Sequence, residues 1–98
     1  MFARVTFSQV SPDKIDEAVG VLRDSLLPDA RQQRGYKGYL LLGDRATGKG
    51  ISITLWETES DREASDQPSE YYREVMARVT PFFTAQPVVE YYDVNIQE

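Results

Sequence analysis

Two kinds of hydrophobic periodicity alternate along this chain, and their order limits the folds that it can adopt. Residues 2–10 (FARVTFSQV) and 51–57 (ISITLWE) alternate between apolar and polar side chains, which is typical of half-buried strands. Between them lies an apolar stripe with helical spacing, formed by Ile15, Ala18, Val19, Leu22 and Leu26. The length of 98 residues is that of one domain, so we expect strands and helices to pack as a single unit over 1–98.

Capping residues and prolines mark the ends of two helical regions. Ser11–Asp13 predicts the start of the first helix, with Ser11 as its N-cap, and Pro28 should kink or end it. Ser60 is predicted to cap a short helix that Pro68 interrupts, and Ser69 to cap a longer one. The apolar stripe of this longer helix consists of Tyr72, Val75, Met76 and Val79.

The remaining strands complete the order strand, helix, strand, strand, helix, strand. Residues 36–44 (YKGYLLLGD) predict a second strand, in which the run Leu40–Leu42 should be buried on both sides. A turn containing Gly48 joins it to the strand at 51–57 as a hairpin, and 87–96 predict the last strand. This order predicts an α+β, ferredoxin-like βαββαβ fold, with two helices on one face of a four-stranded antiparallel sheet.

Composition excludes several classes of function. The chain has no Cys and no His, so a disulfide framework, an ordinary zinc site, a thiol nucleophile and a histidine base are all absent. The formal net charge of −5, without a basic stripe, argues against binding to nucleic acid. No apolar run is long enough to span a membrane and no signal peptide is recognisable, so we expect a cytoplasmic protein without membrane partners.

One alternating set of strand residues is neither a typical core nor a typical solvated face. It combines small hydroxyls with an arginine and a tryptophan, namely Arg4, Thr6, Ser8, Ser52, Thr54 and Trp56. We expect this set on the sheet face that the helices leave uncovered, because its character suits a polar-lined cavity. A second copy of the chain is the simplest cover for that face, giving a homodimer with one pocket per subunit.

Each of these residues also has a purely structural interpretation. Trp56 can be a packing residue at a strand end, Arg4 an ion-pair partner, and Tyr72 part of a helix core face. Tyr92 can lie outside any pocket. The acidic segment Glu57–Asp66 is expected to be a solvated stretch near a helix start, since it lacks the glycine-containing loop of a hard-cation site.

Three stretches carry a resemblance to a known family. They are residues 33–39 (QRGYKGY), the strand 51–56 with Glu57 and Thr58 after it, and a last strand rich in aromatic residues. Over almost its whole length the chain resembles the antibiotic biosynthesis monooxygenase (ABM)-like family of dimeric α/β-barrel proteins. The resemblance implies a ferredoxin-like domain that pairs through its sheet into a dimeric α/β barrel.

The resemblance also implies an activity. The haem-degrading members need a histidine ligand, which this chain lacks. In the cofactor-independent oxygenases of the family, an Asn stands four residues before a tryptophan that Trp56 matches, and Ser52 occupies the Asn position here. The predicted function is therefore a cofactor-independent monooxygenase, without cofactor or metal, that oxidises a small aromatic or quinol-type substrate in a pocket between sheet and helices. The alternatives are a non-catalytic small-molecule-binding or stress-related dimeric module, and a structural dimerisation domain.

Specific residues are assigned to this site. The residues predicted to be catalytic are Trp56, Ser52 and Arg4, with Trp56 or a tyrosine stacking on the substrate ring and Arg4 stabilising a phenolate. Those predicted to bind substrate are Thr6, Thr54, Tyr39, Tyr72 and Tyr92. The pocket of this predicted function lies between the sheet and the helices. The alternation instead predicts that the polar set lies on the uncovered face of the sheet, so the two expectations differ.

Overall fold

A single antiparallel sheet forms the centre of the computed structural model, which describes residues 1–66 and 69–98. Its strands are β1 (Phe2–Gln9), β2 (Tyr36–Gly43), β3 (Lys49–Trp56) and β4 (Val88–Asp93). They lie in the order β2-β3-β1-β4, with all neighbours antiparallel. This is the ferredoxin-like arrangement predicted from the order of the elements. The last strand is shorter than predicted, because regular pairing stops at Asp93, although the Val94 N–H still bonds to the Met1 carbonyl.

The first helical region is continuous but changes its winding. A 3-10 turn at Pro12–Lys14 leads into α1 (Ile15–Val21), a π-helical segment at Leu22–Leu26, and α2 (Leu27–Arg31). Pro28 therefore does not end the helix, and it is the second residue of α2. The Leu27 N–H bonds back to the Leu22 carbonyl, five residues earlier, and this wider turn comes directly before the proline, which has no N–H to offer. Ser11 occupies the N-cap position, as predicted, but its side chain accepts no capping hydrogen bond.

The second helical region consists of α3 (Glu59–Ala64) and α4 (Glu70–Val79). Thr58, and not Ser60, caps α3: the Thr58 hydroxyl accepts the Asp61 N–H at 3.1 Å. Ser69 caps α4 as predicted, since its hydroxyl accepts the Tyr72 N–H at 3.0 Å. The predicted break at Pro68 lies outside the described residues.

The helices cover the face of the sheet that the alternation predicted to be uncovered. Strand register places Arg4 opposite Thr54 and Thr6 opposite Ser52, so the polar set does share one face, but that face is the one covered by the helices. The prediction that these residues lie on the uncovered face was wrong. The packing of the core accounts for this difference. Trp56 belongs to the same alternating set, and it packs against Leu26 and Val75 of the helical layer.

The uncovered face is apolar instead. It carries the alternate residues of each strand, and its most exposed members are Phe7, Leu40, Leu42, Val88 and Tyr92. Leu40 is 53% exposed and Leu42 is 47% exposed, so the prediction that the leucine run is buried on both sides is wrong for a single chain. Among the described parts of the chain, no helix is both long and apolar enough to cross a membrane.

Candidate functional site

A cavity lies between the sheet and the helical layer, in the position that the predicted activity requires. Its volume is about 70 Å³, and its sheet side is polar, formed by Arg4, Thr6, Ser8, Ser52 and Thr54. Its helix side is apolar and is formed mainly by Leu22, Leu26, Val75, Met76 and Val79. A ligand in this cavity would meet an arginine and hydroxyls on the sheet side, whereas the helix side is mainly apolar and adds the rings of Tyr71 and Tyr72. This asymmetry favours one orientation of the ligand.

A larger cavity adjoins the first one and is mostly apolar. Its volume is about 300 Å³, which reaches the lower end of the range for small-molecule sites. The two cavities share lining residues, namely Ser8, Leu22, Leu41, Val79 and Phe83. We call them the inner cavity, which contains Arg4, and the outer cavity, which extends toward α1 and the β2–β3 turn. Together they provide an apolar space that leads to a polar end.

Arg4 is the most unusual residue of the inner cavity, because its charge is almost completely buried. Only 4% of the residue is exposed. Its guanidinium carbon lies 5.6 Å from the centre of the Trp56 ring and 5.1 Å from that of Tyr72, so two aromatic faces surround the cation. The guanidinium also donates to the Ser65 hydroxyl at 3.1 Å. These contacts allow a strand residue to carry a charge into the interior.

The negative partner of Arg4 is shared with other donors. Asp66 lies 4.0 Å from the Arg4 guanidinium, at the limit of an ion pair, but 3.4 Å from that of Arg62. The Tyr91 hydroxyl also donates to Asp66, and Arg62 lies over the Tyr91 ring at 4.1 Å. Asp66 is therefore a counter-charge that Arg4 shares with Arg62 and Tyr91, while Arg4 itself also lines the inner cavity.

Trp56 lies behind the cavity and does not line it. Its side chain is fully buried in the core with Leu26, Ala30, Tyr71 and Val75. The Tyr36 ring meets it edge to face at a centroid distance of 6.2 Å. Within the part of the chain that the structure describes, the Trp56 indole N–H has no hydrogen-bond partner. The ring therefore supports Arg4 from below and is not placed to stack on a substrate.

Two neighbouring tyrosines lie on the helix side of the inner cavity. Burial raises the pKa of the Tyr71 phenol to about 12, although the positive charge of Arg4 opposes the shift. Burial also raises the pKa of Tyr72, where Arg4 again acts in the opposite direction and Asp66 reinforces the rise. Both phenols are therefore protonated at neutral pH. They can donate hydrogen bonds to a ligand, but they cannot accept a proton from it.

The predicted substrate-binding residues fall into two groups. Thr6 and Thr54 line the inner cavity directly, as does Ser52. Tyr39 lies beside them and accepts a hydrogen bond of 2.8 Å from the Ser52 hydroxyl. Burial raises the pKa of Tyr39, and this hydrogen bond partly opposes the rise. Tyr92 does not belong to this group, because it lies half-exposed on the opposite face of the sheet and donates to Glu90.

Three residues in or next to the inner cavity were not predicted as site residues. Ser65 is 2% exposed and bonds to Arg4, although 61 positions separate them in the chain. Met76, predicted as part of the apolar stripe of a helix, and Phe83, for which the sequence predicted no role, both line the inner cavity. The helical spacing of α4 was the available signal for Met76, whereas the contact between Ser65 and Arg4 has no sequence signature.

The acidic segment is dispersed in space. Asp61 pairs with Arg34 at 3.6 Å, Asp66 pairs with the two arginines, and Glu57 pairs with Lys37 at 3.7 Å. Across residues 1–66 and 69–98 no group of three or more acidic side chains gathers into an arrangement that could hold a metal ion. These carboxylates are therefore best described as ion-pair partners.

Solved structures share this architecture over nearly the full chain. A monooxygenase of Streptomyces coelicolor from the gene ActVA-Orf6, solved in complex with nanaomycin D, has a TM-score of 0.84 at 12% identity, covering 99% of this chain and 89% of that chain. A Bordetella bronchiseptica protein with the provisional name antibiotic biosynthesis monooxygenase has a TM-score of 0.83 at 18% identity, covering 97% of both chains. The chain has the ABM fold.

Sequence comparison gives relatives without a described activity. An uncharacterised protein of Mycobacterium tuberculosis is 30% identical over 94 residues, which are 96% of this chain and 41% of the relative. A second one is 29% identical over 96 residues. The chain thus spans about two fifths of the length of the curated relatives that it matches. No family model matches it. The ABM fold confirms the ferredoxin-like domain that the resemblance implies.

Proposed function

We propose that this ABM-fold chain is a cofactor-independent monooxygenase acting on a small aromatic or quinol-type substrate held between sheet and helices. The single observation that supports this most is the buried Arg4 at the polar end of a cavity that is otherwise apolar. Such a cavity suits a ring that carries an acidic oxygen, because the ring and the oxygen have different surroundings. The solved monooxygenase in complex with nanaomycin D has the same fold, which supports a small-molecule site in this chain.

Arg4 is the residue that we assign to activation of the substrate. A positive charge near a phenolic or enolic hydroxyl stabilises its anion and lowers its pKa. The anion is electron-rich and can itself transfer electrons to O2, so the substrate acts as the reductant. Thr6, Ser52 and Thr54 provide hydrogen bonds that fix the substrate oxygen near Arg4. The apolar helix side excludes water from the reacting carbon.

The overall reaction can be written for an anthrone, a tricyclic compound with a reactive CH2 group. One oxygen atom of O2 forms the new carbonyl at this carbon, and the other leaves as water with both hydrogens of the CH2 group. The substrate supplies all the electrons, so no external reductant is needed. We expect one O2 to be consumed for each anthrone converted.

Oxygen uptake with anthrone tests the proposal. The wild-type protein should accelerate O2 consumption, and Arg4→Gln should lower kcat/KM by about a hundredfold, the loss typical of one electrostatic contact. Thr6→Val serves as a second variant if Arg4→Gln does not fold, because it removes one cavity hydroxyl at similar volume. Arg78→Gln, on the exposed side of α4, is the matched control and should behave as wild type. Uptake that does not exceed the rate without protein would disprove the activity.

A second candidate is a ligand-binding module without turnover. The raised pKa values of Tyr71 and Tyr72 favour it, because neither phenol can act as a base at neutral pH. In that case the same cavity would bind aromatic ligands, and anthrone would stabilise the fold without consuming O2. The oxygen electrode and a thermal-shift measurement on the same samples separate the two functions.

The assembly that we propose is a homodimer formed through the uncovered sheet face. Five large apolar side chains are exposed there, and patches of this kind mark interaction surfaces in other proteins. A second copy of the chain is a self-complementary partner, as in most symmetric oligomers. The cytoplasmic location expected from the sequence stays a prediction.

A further inference from the structure

The side chains on the covered face of the sheet become smaller from one end to the other. Strand register places Leu41, Ser52 and Thr6 in one row across the sheet. The next row toward the β2–β3 turn consists of Gly43, Gly50 and Ser8. The outer cavity lies above this second row, so the glycine backbone forms part of its sheet side, next to Leu41 and Val10. The space between sheet and helices therefore widens toward the glycine pair.

The backbone itself does not require glycine at these two positions. Among the described residues, positive φ angles occur at Gly35, Gly38 and Gly48, and neither Gly43 nor Gly50 is one of them. A Cβ atom added at Gly43 would meet only the Lys49 carbonyl oxygen, at an ordinary contact distance of 3.8 Å. Glycine inside a strand weakens it and often marks a place where a ligand approaches the backbone closely.

The opposite wall of the outer cavity is formed by α1. Ile15, Ala18 and Val19 face the glycine pair from the helical layer. A ligand in this space has aliphatic side chains of α1 on one side and the glycine backbone on the other, which favours a flat and apolar body; Arg45 and Lys49 also line the space. The neighbouring row offers the hydroxyls of Thr6 and Ser52, and beyond them lies Arg4.

We propose that Gly43 and Gly50 determine the ligand size that this site accepts. The apolar body of the ligand lies over their backbone in the outer cavity, and its oxygen-bearing end reaches the hydroxyls of the inner cavity. A ligand consisting of the oxygen-bearing end alone needs only the inner part of the site. The oxygen substituent of the ligand rests on the proposed function, whereas the role of the glycine pair rests on the cavity itself.

The test compares two ligands that share one end. Alizarin is a flat molecule of three fused rings with two adjacent hydroxyls at one end, and catechol is that end alone. Calorimetric titration of the wild-type chain should give a measurable Kd for alizarin. Gly43→Val should weaken alizarin binding by about tenfold or more, since even one added methylene in an apolar pocket has an effect of this order. Its effect on catechol should be less than about twofold.

Control variants separate a blocked cavity from a disturbed fold. Gly20→Ala, on α1 and away from both cavities, should leave both ligands unaffected. If Gly43→Val does not fold, as judged by circular dichroism, the smaller Gly43→Ala decides the question in the same titration. Wild-type protein that does not bind alizarin, or a folded Gly43 variant that binds it within twofold of wild type, would overturn the inference.

The outcome is independent of turnover. If O2 uptake with anthrone is absent but alizarin binding is lost on substitution of Gly43, the proposed activity fails and the role of the glycine pair stands. If O2 uptake is present but the Gly43 variants bind alizarin normally, the proposed activity stands and the role of the glycine pair fails.

Discussion

Arg4 carries a charge in the protein interior, whereas arginine side chains are usually exposed to water. A buried guanidinium is costly unless it is paired and hydrogen-bonded, and here Trp56, Tyr72, Ser65 and Asp66 all contribute contacts. Removing the charge would leave Asp66 with fewer donors, so Arg4 is expected to affect stability as well as any activity. Variants of Arg4 must therefore be compared at matched folded fractions.

The buried phenol of Tyr71 leads to a prediction about stability at alkaline pH. Its pKa is about 12 in the folded state and near 10 in the unfolded state, so folding favours the protonated phenol. The resulting stability is fully present below pH 10 and is lost as the pH rises toward 12. We expect a spectrophotometric titration of tyrosinate to include a late contribution near pH 12 from Tyr71, so Tyr71→Phe should lower the amplitude of the late step.

The control for this titration is Tyr92→Phe, because Tyr92 is exposed on the other side of the sheet. A late step that persists in Tyr71→Phe at full amplitude would contradict the burial of this phenol.

Residue alternation predicted which strand residues share a face, but not which face the helices cover. Ser52, Thr54 and Trp56 do lie together, as their spacing indicated. Arg4 and the hydroxyls look like a solvent-facing set, whereas their burial depends on contacts with Ser65 and Tyr72, which come from distant parts of the chain. Such contacts have no local pattern, so the sequence did not show which face the helices cover, although five of the six residues of the polar set line the inner cavity.

At the scale of elements, two serines that look equivalent in sequence have different roles. Ser69 caps α4 through a hydrogen bond to the Tyr72 N–H, whereas the Ser11 side chain makes no such bond. Ser69→Ala should therefore lower the free energy of unfolding by about 1 kcal/mol. Ser11→Ala, the matched control, should change it by less than about 0.5 kcal/mol. Urea denaturation followed by circular dichroism measures both, and equal effects would refute the assigned caps.

The winding of the first helical region is another element that the sequence predicts only in part. Pro28 signalled an irregularity, and the sequence favoured a kink or an end. The chain instead accommodates the proline through the π-helical turn at Leu22–Leu26, which lets the helix continue to Arg31. Leu22 and Leu26 line the inner cavity, so this irregular turn also positions part of the candidate site.

At the scale of the whole molecule, the uncovered sheet face predicts association. Leu40 lies near the middle of β2 with its side chain on that face, and it is more than half exposed. We expect sedimentation equilibrium to give twice the 11.2 kDa of one chain. Leu40→Lys should shift the protein toward the single-chain mass, because a charge would be buried between the two sheets.

Gln32→Lys is the control for this charge, since Gln32 is exposed at the end of α2 and belongs to the helical layer. Wild-type protein that sediments as a single chain at micromolar concentration would rule out the dimer. The predicted burial of the leucine run on both sides would then be wrong for the assembly as well as for the chain.

The position of Trp56 has a practical consequence for the study of this molecule. It is the single tryptophan of the chain, it is fully shielded from water, and it lies against the guanidinium that ends the inner cavity. Its fluorescence should therefore be blue-shifted and insensitive to iodide in the folded protein. An aromatic ligand that binds on the cavity side of Arg4 would quench the Trp56 fluorescence by energy transfer. Trp56 fluorescence therefore reports ligand binding in the cavity, and ligands can be screened with unlabelled protein.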